Sequence, residues 1–230
     1  MTNDTNPLLQ SWDTLFGLPP FARVQAEHFA PALEAAMHAH RTEIDSIATS
    51  GDAPTFANTV AAFDRAGRTL GRVELLFHNL CASETSPALQ AVERQMAPRL
   101  AAHHNAILLS AKLFSRIDRL HAERANLSLR AEELRLLERI HTDFALAGAR
   151  LSAAAKKRLE EIVERLAALT TQFSQNVLAD ESSDGLVLHN DNELAGLPEQ
   201  VRAAAREAAR ERGEPDAWVI ALNRSLIVPF

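Results

Sequence analysis

A histidine and a carboxylate three or four residues apart on a helix share one face, where the pair can begin a metal site or pass a proton. Such spacings join Glu34 to His38, His40 to Glu43, Glu74 to His78, Asp118 to His121 and Glu138 to His141. Each pair supplies two ligands at most. No two histidines stand three or four apart, and a zinc centre needs three or four ligands in a tighter signature such as HExxH, which the sequence does not contain. In a chain rich in acids and helix formers these pairs arise by chance. His141 and Asp143 lie one residue apart in LLERIHTDFALAGARLS. His141 follows Leu137 by four and precedes Phe144 by three, at the edge of an apolar face, which predicts a hydrogen-bonded, partly buried scaffold histidine. The adjacent His103 and His104 point to different parts of a helix surface, which disfavours a shared metal and predicts solvated or capping roles.

The remaining reactive groups read as structural. Cys81 is the single cysteine and has no motif around it, so a buried thiol is expected and no internal disulfide can form. Nothing matches GxSxG, a Walker loop or GxGxxG. The glycines of GRTLG, Gly67 and Gly71, have the spacing of close packing. The row Arg202, Arg206 and Arg210 is interleaved with Glu199, Glu207 and Glu211, as on a solvated face. No residue of this chain is therefore assigned a catalytic, cofactor-binding or metal-ligating role.

The elements that position these groups are helices. Of 230 residues, 47% are hydrophobic and 8 are glycine, enough to bury a sizeable core and to favour helix nearly throughout. The net charge of -6, dispersed along the chain, gives no footprint for nucleic acid or an anionic membrane. With no signal-like start and no run of ~20 apolar residues, a cytoplasmic protein is expected.

The expected fold is all-α: an antiparallel, bundle-like helical lobe with at most a minor two-strand element near the C-terminal end. It comprises an extended arm over about 1–22, helices over 23–181, and short strands flanking one helix over 182–230. The first helix carries Phe29, Leu33, Met37, Ile44 and Ile47, and accepts Pro31 if it starts just before it. A second continuous helix is expected over TFANTVAAFDRAGRTLGRVELLFHNLCA, and two or three more follow, with Pro98 as a kink or break. Ser128 is the expected N-cap, and Gly148 the C-terminal glycine, of the helix holding His141. Ser152 then caps a long helix at about 152–180 with a stripe of Leu159, Ile162, Val163, Leu166, Leu169, Phe173 and Val177. Strand-like runs at Leu186–His189 and Ala217–Asn223 flank a last helix that Gly213 closes. The apolar SLIVPF at the end predicts a truncation that leaves apolar surface exposed.

Several phrases in order, LPPFARVQAEHFAPALEAAM, TFANTVAAFDRAG, LLERIHTDFALAGARLS, LTTQFSQNVLAD and ELAGLPE, resemble the N-terminal part of bacterial peptidyl-dipeptidases, in the family of oligopeptidase A and thimet oligopeptidase. The resemblance runs from Asn6 to about Phe230. It implies a zinc metallopeptidase roughly three times this length, almost entirely helical, with two lobes facing a deep channel that admits only short peptides. Its zinc ligands and general base are implied to lie on an HExxH helix and a later helix, beyond this chain. On this reading the chain is a non-catalytic lobe forming part of the channel wall, inactive alone and binding no zinc itself. Its partners are short peptides, in the full-length enzyme, and the missing C-terminal catalytic region, with no nucleic acid and no membrane. An oligopeptidase A-like endopeptidase is the near alternative. A freestanding helical interaction module without activity is the alternative of another class.

Overall fold

The computed structural model describes residues 6–222. Helix accounts for 72% of the chain and the remainder includes one small antiparallel sheet, so the all-α expectation holds. The chain divides into two compact units, Met1–Leu169 and Thr170–Phe230.

The first unit is organised around α1, Phe29–Ala48, whose first turn accommodates Pro31 because that position needs no intrahelical N–H. Its N-terminal half buries Phe29, Leu33 and Ala36 with Leu70, Val73 and Phe77 of α3 (Arg68–Ser83) and Met96 and Leu100 of α4 (Pro87–Leu108). The rings of Phe29 and Phe77 lie 5.0 Å apart. Its C-terminal half buries Ile44 and Ile47 in a second core with Leu113, Phe114, Ile117 and Leu120 of α5 (Ala111–Glu123) and Leu137, Ile140 and Phe144 of α6 (Ala131–Leu146). One helix thus serves two cores.

The continuous helix expected from Thr55 to Ala82 is broken. Phe56–Val60 forms a wide π-helical turn, α2 spans only Ala61–Arg65, and Gly67 adopts φ 72° before α3 begins. The Thr55 hydroxyl accepts from the Asn58 N–H, and the Asn58 side-chain oxygen accepts from the Thr55 N–H, which fixes the start of this turn. Pro98 does not end its helix. α4 passes through it, with fully buried Met96 two residues before, so packing outweighs the one hydrogen bond that proline forfeits.

Ser128 is not the cap of α6 either. It has φ 48° in the preceding connection, and Arg130 takes the cap position, where its N–H donates to the Glu133 carboxylate at 3.0 Å. That carboxylate also pairs with the Arg130 guanidinium, which holds it at the positive end of the helix. At the other end the expectation holds: Gly148 has φ 99°, its N–H donates to Ala145, and the Ala149 N–H donates to Phe144, a Schellman closure.

Ser152 accepts from the Ala155 N–H and opens α7, Ala153–Ser183. The apolar stripe forms along α7, yet no residue of that helix is buried, and Leu166, Phe173 and Val177 stand exposed. The pattern gives the helix; Leu159 and Val163 at its start are half-buried, Leu159 beside Gly148, while the stripe from Leu166 onward is mostly uncovered among the described residues.

In the second unit β1 (Gly185–Leu188) pairs antiparallel with β2 (Trp218–Ala221), Leu186 opposite Ile220. The first strand starts one residue before the expected Leu186, and the expected Asn223 lies outside the described residues. α8, Glu199–Glu211, packs on β2 through Ala205 and Ala209, both fully buried. Arg212 follows and donates to the carbonyls of Glu181 and Asp184, satisfying acceptors at the end of α7. The expectation for SLIVPF, residues 225–230, lies outside the described residues.

Candidate functional site

Two clusters gather five histidines of the first unit, His40, His103 and His104 in one and His121 and His141 in the other, and the hydrogen bonds of neither follow the spacings that sequence offers. The first joins α1, α3 and α4. His40 Nδ1 faces His103 Nε2 at 3.1 Å, so one imidazole donates and the other accepts. His104 bonds the Glu74 carboxylate at 2.8 Å, in place of the His78 that stands four residues from Glu74. Glu43 accepts the Gly67 N–H at 2.7 Å, and not a bond from His40. The expected solvated or capping roles of His103 and His104 are thereby corrected: both tie α4 to neighbouring helices, because each meets a partner that lies far away in sequence.

Electrostatics sorts the three rings. Burial, with His40 and His104 nearby, pushes the His103 imidazole down to about 4. Burial also lowers His40, while the hydrogen bond to Glu74 raises His104. His40 and His103 therefore stand neutral at pH 7, each spending ring nitrogen capacity on the other.

A pH dependence follows. The folded value of His103 lies below the ~6.5 of an unfolded chain, so its contribution is complete above that pH and declines as pH falls toward about 4, where the unfolded chain holds a proton the native site refuses. The groups facing it are His40, His104, Arg41 and Glu74. Because the ring is half solvated, the loss is on the order of 1 kcal/mol after screening. His103→Gln should flatten that part of the urea-midpoint profile between pH 6.5 and 4. His104 acts oppositely above this window, losing its contribution as pH rises through its raised value.

The second cluster joins α5 and α6. His141 is buried and bonds Asp118 at 2.9 Å, and Arg150 reaches the same carboxylate oxygen at 3.2 Å. These partners hold the Asp118 carboxyl below its usual range, the His141 bond foremost. His121 stacks on His141 with centroids 3.7 Å apart and planes 2° from parallel. Its imidazole is lowered by burial and then by the His141 charge. Asp143 points elsewhere and pairs with Arg139 at 3.8 Å, so the sequence neighbours His141 and Asp143 form no dyad. The partner of His141 is 23 residues away, and only its place at the edge of the apolar face signalled that it would need one.

The remaining sequence pairs disperse. Glu34 pairs with Arg99, and Glu138 lies 3.9 Å from Arg124. Cys81 is half-buried, and burial pushes its thiol up to about 12, which leaves it protonated and inert at neutral pH. Of the GRTLG glycines, Gly67 closely approaches His40 while Gly71 meets nothing, so the motif is not a helix-packing pair. In the second unit Arg202 pairs with Asp191, Arg206 lies over the Trp218 ring at 5.2 Å, and Arg210 pairs with Glu207. The row is solvent-exposed as expected, with Arg210 pairing with the interleaved Glu207, while Arg202 and Arg206 also engage Asp191 and Trp218.

Among the described residues no group of three or more histidine, cysteine, aspartate or glutamate side chains is placed to hold a metal ion. No described helix is long and apolar enough to cross a membrane. The class of protein so defined is a helical lobe whose polar clusters lock helix to helix.

No protein-family model matches the chain. Curated relatives do. The chain is 39% identical over 217 residues to dipeptidyl carboxypeptidase of Escherichia coli (strain K12), covering 94% of this chain and 32% of that protein. It is 37% identical over 218 residues to the Salmonella typhimurium dipeptidyl carboxypeptidase, covering 95% and 32%. Oligopeptidase A of Salmonella typhimurium is 28% identical over 225 residues, covering 98% and 32%. The chain spans about a third of the length of these relatives. It is homologous to the dipeptidyl carboxypeptidases, with oligopeptidase A further away.

Proposed function

We propose that the chain is the N-terminal, non-catalytic lobe of a cytoplasmic zinc-dependent peptidyl-dipeptidase that hydrolyses short oligopeptides and releases C-terminal dipeptides. The observation that carries this reading is identity of 37–39% along nearly the whole chain to proteins named dipeptidyl carboxypeptidase, against which it spans only about a third of their length. The described residues do not fit zinc, since no three donors converge. The metal would be held by the remainder of the polypeptide. The helices described above would form part of the wall of the substrate channel, with the histidine clusters keeping that wall rigid.

The test is the natural reading frame beyond Phe230. It should continue into a region with HExxH, and the full-length product should release dipeptides from unblocked oligopeptides, while the 230-residue chain with added zinc turns over nothing. Turnover by the 230-residue chain, or a frame that closes at Phe230, overturns the proposal, and the latter favours a freestanding interaction module. The identity of 28% to oligopeptidase A supports a second reading as an endopeptidase. A C-terminally amidated peptide separates the two: an endopeptidase cleaves it internally, whereas an enzyme that reads the free carboxylate leaves it intact.

A further inference from the structure

The arm that precedes α1 is anchored at its base and apolar at its tip. Leu8 is fully buried in the first core, and Arg72 of α3 donates to the carbonyls of Leu8 and Gln10 while its guanidinium covers the Trp12 ring at 4.4 Å. Beyond this anchor Leu15 is 76% exposed and Phe16 88% exposed, followed by exposed Leu18 and Phe21, with Leu75 of α3 at 75%. Single exposed apolar residues are ordinary, but five large ones on one arm and the helix face beside it are not.

The backbone is itself unusual there. Phe16 has φ 60° and Gly17 has φ 66°. A bulky aromatic in the left-handed region is unfavourable, and such outliers cluster where a segment is held for contact with something else. The turn is closed by its own polar groups, the Thr14 hydroxyl donating to the Leu18 carbonyl and the Gly17 N–H donating to the Thr14 carbonyl. Phe16 itself packs into no core. Beside the turn, a cleft of about 380 Å³ is lined by Trp12, Pro19, Phe21 and Leu75, and one of about 680 Å³ opens on the other side of Phe21 and Asn79. No charged residue occurs in LFGLPPFA, residues 15–22, and the one charged group lining the smaller cleft, Arg72, already donates to the Leu8 and Gln10 carbonyls, so covering the site strands no unpaired ion.

We propose that residues 15–21 with Leu75 form the docking site for the rest of the peptidase polypeptide, through an apolar surface of that missing part which seats on Phe16 and fills the cleft beside Phe21. This rests on the proposed function. The relatives possess about two-thirds of their length beyond what this chain matches, so an occupant in the same polypeptide is available. Size argues the same way. A stable complex between separate chains uses roughly 20–30 residues a side, far more than this tip offers. A segment tethered in the same polypeptide has a high effective concentration and needs no such area.

The experiment compares the 230-residue chain with the full-length polypeptide, each carrying Phe16→Cys or, separately, Leu75→Cys. Alkylation at pH 7 is read by peptide mass spectrometry, with Cys81 as a quiet internal reference because its thiol titrates at about 12. Both introduced thiols should react readily in the 230-residue chain and about tenfold or more slowly in the full-length form, as a site docked nine-tenths of the time requires. Hydrogen exchange of the unsubstituted proteins over residues 15–21 should slow in the same comparison, which removes any effect of the substitutions. Equal rates in the two forms overturn the proposal. Concentration-dependent protection in the 230-residue chain overturns it in favour of a second copy. Peptide hydrolysis is followed in parallel. Hydrolysis without protection sinks the docking site and leaves the proposed function standing, and protection without hydrolysis does the reverse.

Discussion

Phe144→Ala should cost about 3–5 kcal/mol, enough to remove about a fifth or more of the stability of a domain that totals about 5–15 kcal/mol. The side chain is fully buried, edge-on to Phe63 at 5.4 Å and stacked on Phe114 at 6.2 Å. It lies where α5, α6 and the Phe56–Val60 turn meet, so its removal leaves a cavity bounded by elements of low freedom to collapse. The backbone closure at Gly148 uses the Phe144 carbonyl, which alanine keeps, so the loss reports packing and not the cap. Leu146, two residues on in the same helix, is 82% exposed, and Leu146→Ala should change stability by less than about 0.5 kcal/mol. Urea unfolding followed by far-ultraviolet circular dichroism measures both. Similar losses for the two variants would show that α6 does not bury the face described here.

The sequence made helix positions legible wherever apolar spacing, caps and glycines agreed. The α6 to α7 junction is the clearest case, since Phe144, Gly148 and Ser152 each act locally, within one turn of the residue they serve. Three kinds of feature were illegible. The break at Ala66 and Gly67 was hidden because Phe63, Leu70 and Val73 keep a helical period across it, although α2 and α3 place them in different cores. The cap at Arg130 was hidden because the helix start is fixed by the Glu133 carboxylate accepting from the Arg130 N–H and guanidinium, and not by a serine hydroxyl accepting a helix N–H. The histidine clusters were hidden because their partners come from other helices: His40 and His103 lie 63 residues apart, and His104 and Glu74 lie 30 apart. Helical spacing detects neighbours on one face of one helix, whereas these contacts exist only after α1, α3 and α4 have packed. The stripe of α7 shows the converse. Its period was legible and correct, but periodicity names a face to be covered without naming its cover.

Gly67→Ala should cost about 2–4 kcal/mol, with two separable parts. The first is conformational. Ala66 is extended with ψ 152° and Gly67 follows at φ 72°, ψ 16°, which turns the chain from α2 into α3, and a residue with a Cβ resists that left-handed geometry by roughly 1–2 kcal/mol. The second is steric. A Cβ at this position falls 2.8 Å from the His40 ring, which cannot simply swing away because His103 holds it at 3.1 Å and Glu43 fixes the Gly67 N–H from the same helix. The other glycine of GRTLG predicts the opposite sign. Gly71 lies inside α3, and a Cβ there meets nothing within 4 Å, so Gly71→Ala should stabilise by about 0.5–1 kcal/mol through helix propensity. For a chain of this size each kcal/mol moves the melting temperature by about 2–4 °C, so calorimetry should separate the two variants by roughly 5–20 °C. Combining Gly67→Ala with His40→Ala isolates the steric part, because removing the ring should rescue the clash and leave the backbone strain, giving a favourable coupling in the double-mutant cycle. Equal and small effects at both glycines would mean that α2 and α3 are one helix after all, as the apolar period alone implies, and that the turn at Gly67 does not exist in solution.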